Sequence, residues 1–576
     1  MRVVERQRII APSWSALLAL IVLAPLLQPG YLLFRDAVST PRSYLTDSAL
    51  GLGDAAPRAV PQDWLLAGVS VIIDGGLAVT VLLVLSVWLA GCGAALLART
   101  FLREHGAGPG AECTAATVAI WNPFVAERLL QGHWSLLAGY AALPWIVVAM
   151  HRIKNARAGG WPLLVFAVGC AALTPTGAVL AVMLALGVNA RDTLRHLKRS
   201  GLILVIGAAA GAPWVVAALL SGDPGVSGRA GTEAFAARAE PWLGTLGSLA
   251  GLGGIWNGDA VPVSRTTPVA LLATAWLLIL VAGGAGALRR LRIAGALPLG
   301  LIALTSITIP AFAATPAGLT ALTWVTSSVP GGGLLRDTQK FVALAMPFYA
   351  LCAAAAVLLL APHARALTRA VPAFACVMVI GVLPDLAWGA GGQLRTVQYP
   401  PGWEAAARIV EDGSPHGAVA VLPAGMFRVY PFTGDVVVLD PAPRMMPRDV
   451  LLSGDLVVAG TLVEGEGGRG RAAEAALLGG ASSAELLDLG IEWVLVQLDT
   501  PGDRGDSRET LDQLVLEHSG IDVALYRVPG EPADFSAPSA ARTAVVGAHA
   551  LWLAVTLAAG VMLAVGRLRS TRSTKM

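Results

Sequence analysis

Residues 11–36, APSWSALLALIVLAPLLQPGYLLFRD, decide the fold. The run from Ala11 to Phe34 is apolar and follows Arg2, Arg6 and Arg8. About 20 such residues cross the hydrocarbon core of a bilayer as a helix. The run is too long for a cleavable signal and lacks a small-residue exit, so it reads as a signal anchor. Lys and Arg near helix ends stay on the cytoplasmic side, which puts the N-terminus inside. The run then ends on Arg35 and Asp36, two charges at the outer boundary. Ionisable groups at a membrane face need a partner or a ligand to offset their desolvation.

The rest of the chain repeats this pattern. Of 576 residues, 55% are hydrophobic and 14% charged, with a mean hydropathy of +0.66. Soluble chains carry about 25% charged residues, so the composition is that of an integral membrane protein. We expect an all-α polytopic fold of about twelve spans. The first covers 12–34 and the second ends near Arg99 and Arg103. The third and fourth flank the segment from Asn122 to Ser135, and the chain re-enters at Arg152, Lys154 and Arg157. Spans five and six turn outside at Thr174 to Gly177 and return to Arg191, Arg195, Lys198 and Arg199. The seventh leads to a Gly-rich outer loop, Ser221 to Pro268, and the eighth returns to Arg289, Arg290 and Arg292. The ninth ends near Pro310. The tenth covers 338–361, ahead of Arg365 and Arg369, and the eleventh 370–388. The last, 543–566, runs into a basic tail that ends at Lys575. Basic residues thus fall on every second connection, which places both termini in the cytoplasm. Residues 311–330 are apolar too, and read as a re-entrant or interfacial segment.

The spans define a transmembrane region, 1–388, and a terminal helix with its tail, 541–576. Between them, 389–540 turns soluble. Short β-rich runs (418–422, 436–439, 493–496, 523–526) alternate with helical stretches at 402–412, 471–489 and 508–518, the pattern of a small α/β domain. The topology puts it outside. A net charge of +3 with no basic block beside aromatics excludes nucleic acid as a partner. Five scattered cysteines without a C-x-x-C pair imply no disulfide framework, and no metal set, P-loop or nucleophile elbow is present.

Three segments carry candidate chemistry. Asp36, followed by Arg42, Asp47, Asp54, Arg58 and Asp63, is placed to act as a general base, or is a helix-end charge paired with Arg35 or Arg42. In Trp121-Asn122-Pro123-Phe124-Val125-Ala126-Glu127-Arg128-Leu129-Leu130-Gln131-Gly132-His133-Trp134, Asn-Pro ends a helix and polar groups crowd one turn. His133 there is a proton shuttle or a solvated interfacial residue. Gly331 to Lys340 joins three glycines to Arg336, Asp337 and Lys340. On an α-helix Arg336 and Lys340 would share a face and grip a phosphate; the alternative is a surface pair of Arg336 with Asp337.

Together these segments resemble the GT-C class of polytopic glycosyltransferases that use polyprenyl-phosphate sugars, and among them the actinobacterial mannosyl- and arabinosyltransferase-like membrane proteins. The resemblance implies an inverting transfer of mannose or arabinose from a polyprenyl-phosphate donor to a cell-envelope glycan or lipoglycan on the outer face. It implies Asp36 as catalytic base and Arg336, Lys340 and Arg58 as groups for the donor phosphate. Arg35, Asp47, Asp63, Glu127, Arg128, His133 and Asp337 are candidates to line the site. Relatives carrying an adjacent acidic pair differ from this chain, where Asp36 stands between Arg35 and Ala37, so a divalent cation is left open and no other cofactor is implied. A transporter or flippase of lipid-linked precursors would use similar helices but calls for internal repeats, of which no matching halves are visible. A non-catalytic envelope-assembly scaffold is the third reading.

Overall fold

The computed structural model describes residues 2–573 except 191–192, 222–227, 330, 361–366, 415, 459–460 and 466. The expected basic markers Arg191, Arg365 and Lys575 lie outside the described residues. Helices stand at all twelve places where spans are expected, but they differ in reach. Among the described residues eight are long and apolar enough to cross a membrane: Ile9–Leu27, Gly75–His105, Trp134–Lys154, His196–Leu220, Val269–Arg290, Ala296–Ala313, Thr338–Leu359 and Ser539–Arg569. A ninth candidate, Arg369–Gly381 with Pro384–Gly392, is bent by 73°. The other three are short: Pro109–Ile120, Gly160–Ala171 and Pro175–Asn189, of 12, 12 and 15 residues. At about 1.5 Å per residue these fall short of the ~30 Å hydrocarbon core. The chain is a multi-pass membrane protein.

One local expectation changes, at the first span. The first α-helix ends at Leu23, a 3-10 turn continues it to Leu27, and Tyr31–Phe34, read as its last turn, is a β-strand. Gln28, Pro29 and Gly30 break the helix there, as Pro and Gly do. Residues 311–330 hold a separate helix, Pro316–Ser328, whose 13 residues reach about 20 Å and so do not span. Thr315 caps it by accepting the Gly318 N–H.

Near the C-terminus a five-stranded mixed sheet runs in the order Val515–Ser519, Val523–Arg527, Ile491–Gln497, Ala418–Leu422, Val450–Leu451. Ile491–Gln497 is parallel to Ala418–Leu422 and antiparallel to Val523–Arg527. The period of two sorts its side chains. Val419, Val421 and Leu495 pack with Trp403, Ala406 and Val410 of helix Pro401–Glu411, while Ala418, Ala420 and Val494 pack with Ala473 and Leu477 of helix Gly468–Leu478. The stretch 508–518 is helical only over Ser507–Leu511; its second half is the edge strand.

Strand Tyr31–Phe34 joins the two parts. It pairs with Ala37–Val38 on one side and Thr396–Val397 on the other. Leu32 and Phe34 belong to the core of the helical bundle, whereas Leu33 and Val38 belong to the core under the sheet. One short strand therefore buries its two faces in two different cores.

Candidate functional site

Phe34 pairs with Ala37, so Arg35 and Asp36 form the two-residue tip of a hairpin. Arg35 has φ of 48°, at the position where such turns favour glycine. Its surroundings hold it: the guanidinium donates to the carbonyls of Leu130 and Asp259, and the Arg35 carbonyl accepts the Leu439 N–H at 2.8 Å. Behind the tip lies the Asn122 turn. Asn122 accepts the Val125 N–H at 3.1 Å and starts helix Pro123–Gln131, which Gly132 ends with φ of 86°. A Cβ on Gly132 would stand 2.3 Å from the Ala37 nitrogen and 2.6 Å from the Phe34 carbonyl oxygen. Glycine there lets the helix end meet the hairpin backbone, and the Asp36 N–H donates to the Gln131 carbonyl at 3.2 Å.

This contact assembles a polar chain from all three segments. Asp36 Oδ2 accepts Gln131 Nε2 at 3.0 Å and lies 3.1 Å from His133 Nε2. His133 Nδ1 is 2.9 Å from Arg128 Nη1, which also donates to Asp337 Oδ2 at 3.3 Å. Asp337 Oδ2 lies 3.4 Å from Lys340 Nζ. Arginine can only donate, so His133 Nδ1 accepts and its Nε2–H donates to Asp36. Asp36 Oδ1 takes no hydrogen bond among the described residues, and the side chain keeps 30% of its surface exposed. The Arg128 and Asp337 side chains keep 0% and 4%, while Lys340 keeps 23%. One open carboxylate oxygen and one half-buried ammonium are thus what the chain presents.

The electrostatics agree. Burial pushes the Asp36 carboxyl up, but hydrogen bonds from His133 and Gln131 and the charge of Lys340 outweigh it, so the group sits below the usual carboxylate range. Burial lowers the His133 imidazole, and Lys340 and Arg128 lower it further against the pull of Asp36. An ionised Asp36 beside a neutral His133 follows at neutral pH. His133 is thereby not simply solvated: its ring nitrogens bond Asp36 and Arg128.

The glycine segment folds differently from the expected α-helix. Gly331 has φ of 76°, and a Cβ on Gly332 would stand 2.4 Å from the Val325 carbonyl oxygen. The following turns, Gly332–Leu335 and Thr338–Ala345, are 3-10 helices. Three residues per turn align Asp337 with Lys340 rather than Arg336 with Lys340. Arg336 instead lies over the Phe235 ring, 4.2 Å from its centroid. Asp337 pairs with Arg128 and Lys340, so the expected surface pair with Arg336 is not formed.

Other candidates sit elsewhere. Both Asp47 oxygens are taken by Arg542 at 2.6 and 2.7 Å, with the Ala537 N–H at 2.9 Å. Asp63 pairs with Arg444 at 3.1 Å, and Asp54 accepts the Gly470 N–H at 2.8 Å. These carboxylates tie the loop to later parts of the chain and make no bond to the Asp36 group. Arg58 is exposed and has no hydrogen bond to that group either. Glu127 is fully buried and accepts the Gly254 and Ile255 N–H groups and Gln339 Nε2 at 3.0, 3.2 and 3.1 Å. Burial and the charge of Glu240 push its carboxyl well up. It supports the site from behind and does not line it.

Sequence reasoning missed the contribution of the long Gly-rich loop. Gln131 Oε1 accepts Asn257 Nδ2 at 2.8 Å, and a Cβ on Gly253 would stand 2.8 Å from Glu240 and 3.1 Å from Glu127. Glu240 and Arg265 form a buried ion pair beneath. The crowding of Glu127, Arg128 and Gln131 in one turn was the available signal; nothing in 240–265 pointed to a partner. After the bent helix, Trp388 to Gly391 take left-handed angles in succession, with φ of 56, 68, 50 and 72°. For residues other than glycine that conformation costs about 1–2 kcal/mol each. Among the described residues no cluster of three or more His, Cys, Asp or Glu forms a metal site. Around Asp36 the neighbours are an amide, a neutral imidazole and two cations, a donor set that does not fit a divalent ion.

No protein-family model matches the chain, and no curated protein does. Among solved structures, it superposes on the arabinofuranosyltransferase AftD from Mycobacteria with a TM-score of 0.56, at 16% identity, over 92% of this chain and 40% of that one. Two structures of a mutant of that enzyme give TM-scores of 0.55 and 0.52, at 16% and 15% identity, over 92% of this chain and 42% of theirs. The chain spans about two fifths of the length of the protein it matches. The resemblance to GT-C glycosyltransferases drawn from the three segments is thus met by a shared fold.

Proposed function

We propose that this protein is a membrane glycosyltransferase of the GT-C type, moving a mannose or arabinose from a polyprenyl-phosphate donor to a cell-envelope glycan or lipoglycan on the outer face. The observation that carries the reading is the chain Asp36–His133–Arg128–Asp337–Lys340, built from three separate segments on this fold. Asp36 Oδ1 takes the proton of an acceptor hydroxyl as that oxygen attacks the anomeric carbon. The bond from this carbon to the phosphate oxygen breaks on the opposite face, inverting the centre. Lys340 meets the negative charge that grows on the leaving lipid phosphate, and Arg336 stands nearby in the same segment. His133 and Gln131 hold the carboxylate ionised and oriented until the proton arrives. Both termini are assigned to the cytoplasm and the region 389–540 to the outside.

The test is transfer by purified full-length protein from polyprenyl-phosphate mannose and polyprenyl-phosphate arabinose. Asp36→Asn keeps size and hydrogen bonding but removes the proton acceptor. General base catalysis is worth about 10²–10⁴-fold, so turnover falls by that factor while donor binding persists. Lys340→Ala weakens donor binding and slows transfer together, since a phosphate contact serves ground and transition state alike. Absence of transfer from every polyprenyl-phosphate sugar would overturn the reading.

A further inference from the structure

Beside the Asp36 hairpin lies an open cleft of about 470 Å³, bounded by Arg35, Asp259, Gln393, Arg395, Asp435 and Val437. It lies within the range of about 300–1,000 Å³ typical of ligand sites, with room for more than one sugar ring. Four parts of the chain form it: the hairpin tip, the loop after Asn257, the stretch from Gly392 to Arg395 after the bent helix, and Asp435 to Val437 of the α/β region. We propose that this cleft binds a neutral oligosaccharide and delivers the acceptor chain to Asp36. The proposal rests on the transferase reading above and adds to it the acceptor's subsite.

The lining chemistry selects the ligand. Two guanidinium groups stand with two carboxylates and an amide, so the cleft carries no net charge from these groups. An anion would meet Asp259 and Asp435, and a cation Arg35 and Arg395. A sugar hydroxyl both donates and accepts, so it suits a guanidinium beside a carboxylate. Gln393, Arg395, Asp259 and Asp435 are all exposed, and among the described residues the Arg395 and Asp435 side chains make no hydrogen bond or ion pair. Val437, 50% exposed, offers the apolar contact that the C–H face of a sugar ring takes.

The cleft is also built, and it is wired to Asp36. Arg35 holds a positive φ, and Trp388 to Gly391 form a left-handed turn that leads into Gly392 and Gln393. Backbone held in such sparsely populated angles clusters at functional sites. Gln131 donates to Asp36 and accepts from Asn257, and Asn257 Oδ1 accepts the Asp259 N–H at 3.0 Å. One wall of the cleft is therefore tied through two amides to the carboxylate that takes the acceptor's proton. The other wall follows Arg35, the residue next to Asp36.

The experiment uses full-length protein in detergent, wild type against Arg395→Ala and Asp435→Ala, each checked for an unchanged thermal midpoint. Binding of a linear manno-oligosaccharide, an arabino-oligosaccharide and inorganic phosphate is measured directly, without donor. The wild type binds one of the oligosaccharides, and each variant loses about tenfold or more, as removal of a charged hydrogen-bond partner does. In transfer assays the same variants raise the acceptor KM by a similar factor and leave kcat and the donor KM unchanged. Oligosaccharide binding untouched in both variants, no oligosaccharide binding by the wild type, or binding of phosphate alone overturns the proposal. Active transfer with unchanged acceptor KM removes the cleft and keeps the transferase. Variant-sensitive oligosaccharide binding without transfer from any donor removes the transferase and keeps the cleft as a glycan site.

Discussion

Asp36 and Asp47 stand in one loop, have the same side chain, and are held in opposite ways. Asp47 has both oxygens filled by the Arg542 fork and a third bond from the Ala537 N–H, at 7% exposure. It clamps the first loop to the start of the last long helix. Asp36 uses one oxygen for Gln131 and His133 and leaves the other without a hydrogen bond among the described residues. A carboxylate saturated by its own protein has no lone pair to offer a substrate. One that is half satisfied is held in place and still able to take a proton. In the proposed function, saturation of hydrogen bonding, more than position in the loop, separates the structural acid from the chemical one.

This contrast breaks first where it depends on buried charge. Arg128 is 0% exposed and bridges His133 to Asp337. Arg128→Ala leaves Asp337 buried beside a vacated space, and loss of one partner of a buried ion pair costs about 3–5 kcal/mol. The thermal midpoint in detergent drops sharply, and the protein that remains folded loses turnover as well. Gly132→Ala comes next. Its Cβ would meet two backbone atoms of the hairpin, and overpacking of this kind costs about 1–3 kcal/mol. Limited proteolysis detects the displaced hairpin as new cleavage near residues 31–38.

Asp47→Asn weakens the clamp by a smaller amount. The Arg542 side chain is 45% exposed, so solvent screens the pair and the loss is about 1 kcal/mol or less. The midpoint falls slightly while turnover per folded molecule is unchanged. The smallest effect is a shift on the pH axis. The His133 hydrogen bond is among the causes that hold the Asp36 carboxyl low. His133→Ala removes it, so Asp36 protonates at a higher pH. A base is active only when ionised, so rate falls on the acid side, and this acid limb moves to higher pH in the variant. A pH profile of kcat/KM reads the direction; an acid limb that stays or moves down contradicts the assignment.

Much of the bundle was legible because apolar runs and basic helix ends are local signals. Helices stand wherever spans were expected, and Asp74 caps Gly75–Leu102 by accepting the Leu77 N–H. Short helices such as Gly160–Ala171 were overread, since neighbouring protein can cover an apolar run that lipid does not have to. Tyr31–Phe34 was misread for a related reason. A strand buried on both faces is apolar throughout and lacks the alternation that marks a half-exposed one. The three site segments were visible as clusters of charge, but their pairing was not. Arg336 was matched to Lys340 by α-helical spacing, and the glycines turned that stretch into 3-10 geometry. Asn257, Asp259 and Gly253 gave no signal at all, because only the folding of the long loop brings them to Gln131 and Glu127.

The most direct test sets Asp36→Asn against Asp47→Asn in one single-turnover assay with polyprenyl-phosphate sugar bound to purified protein. If Asp36 is the base, Asp36→Asn transfers about 10²–10⁴-fold more slowly than wild type, with an unchanged thermal midpoint. Asp47→Asn then transfers at the wild-type rate from a slightly less stable protein. A fully active Asp36→Asn, or a loss of turnover in Asp47→Asn that matches it, would contradict the account.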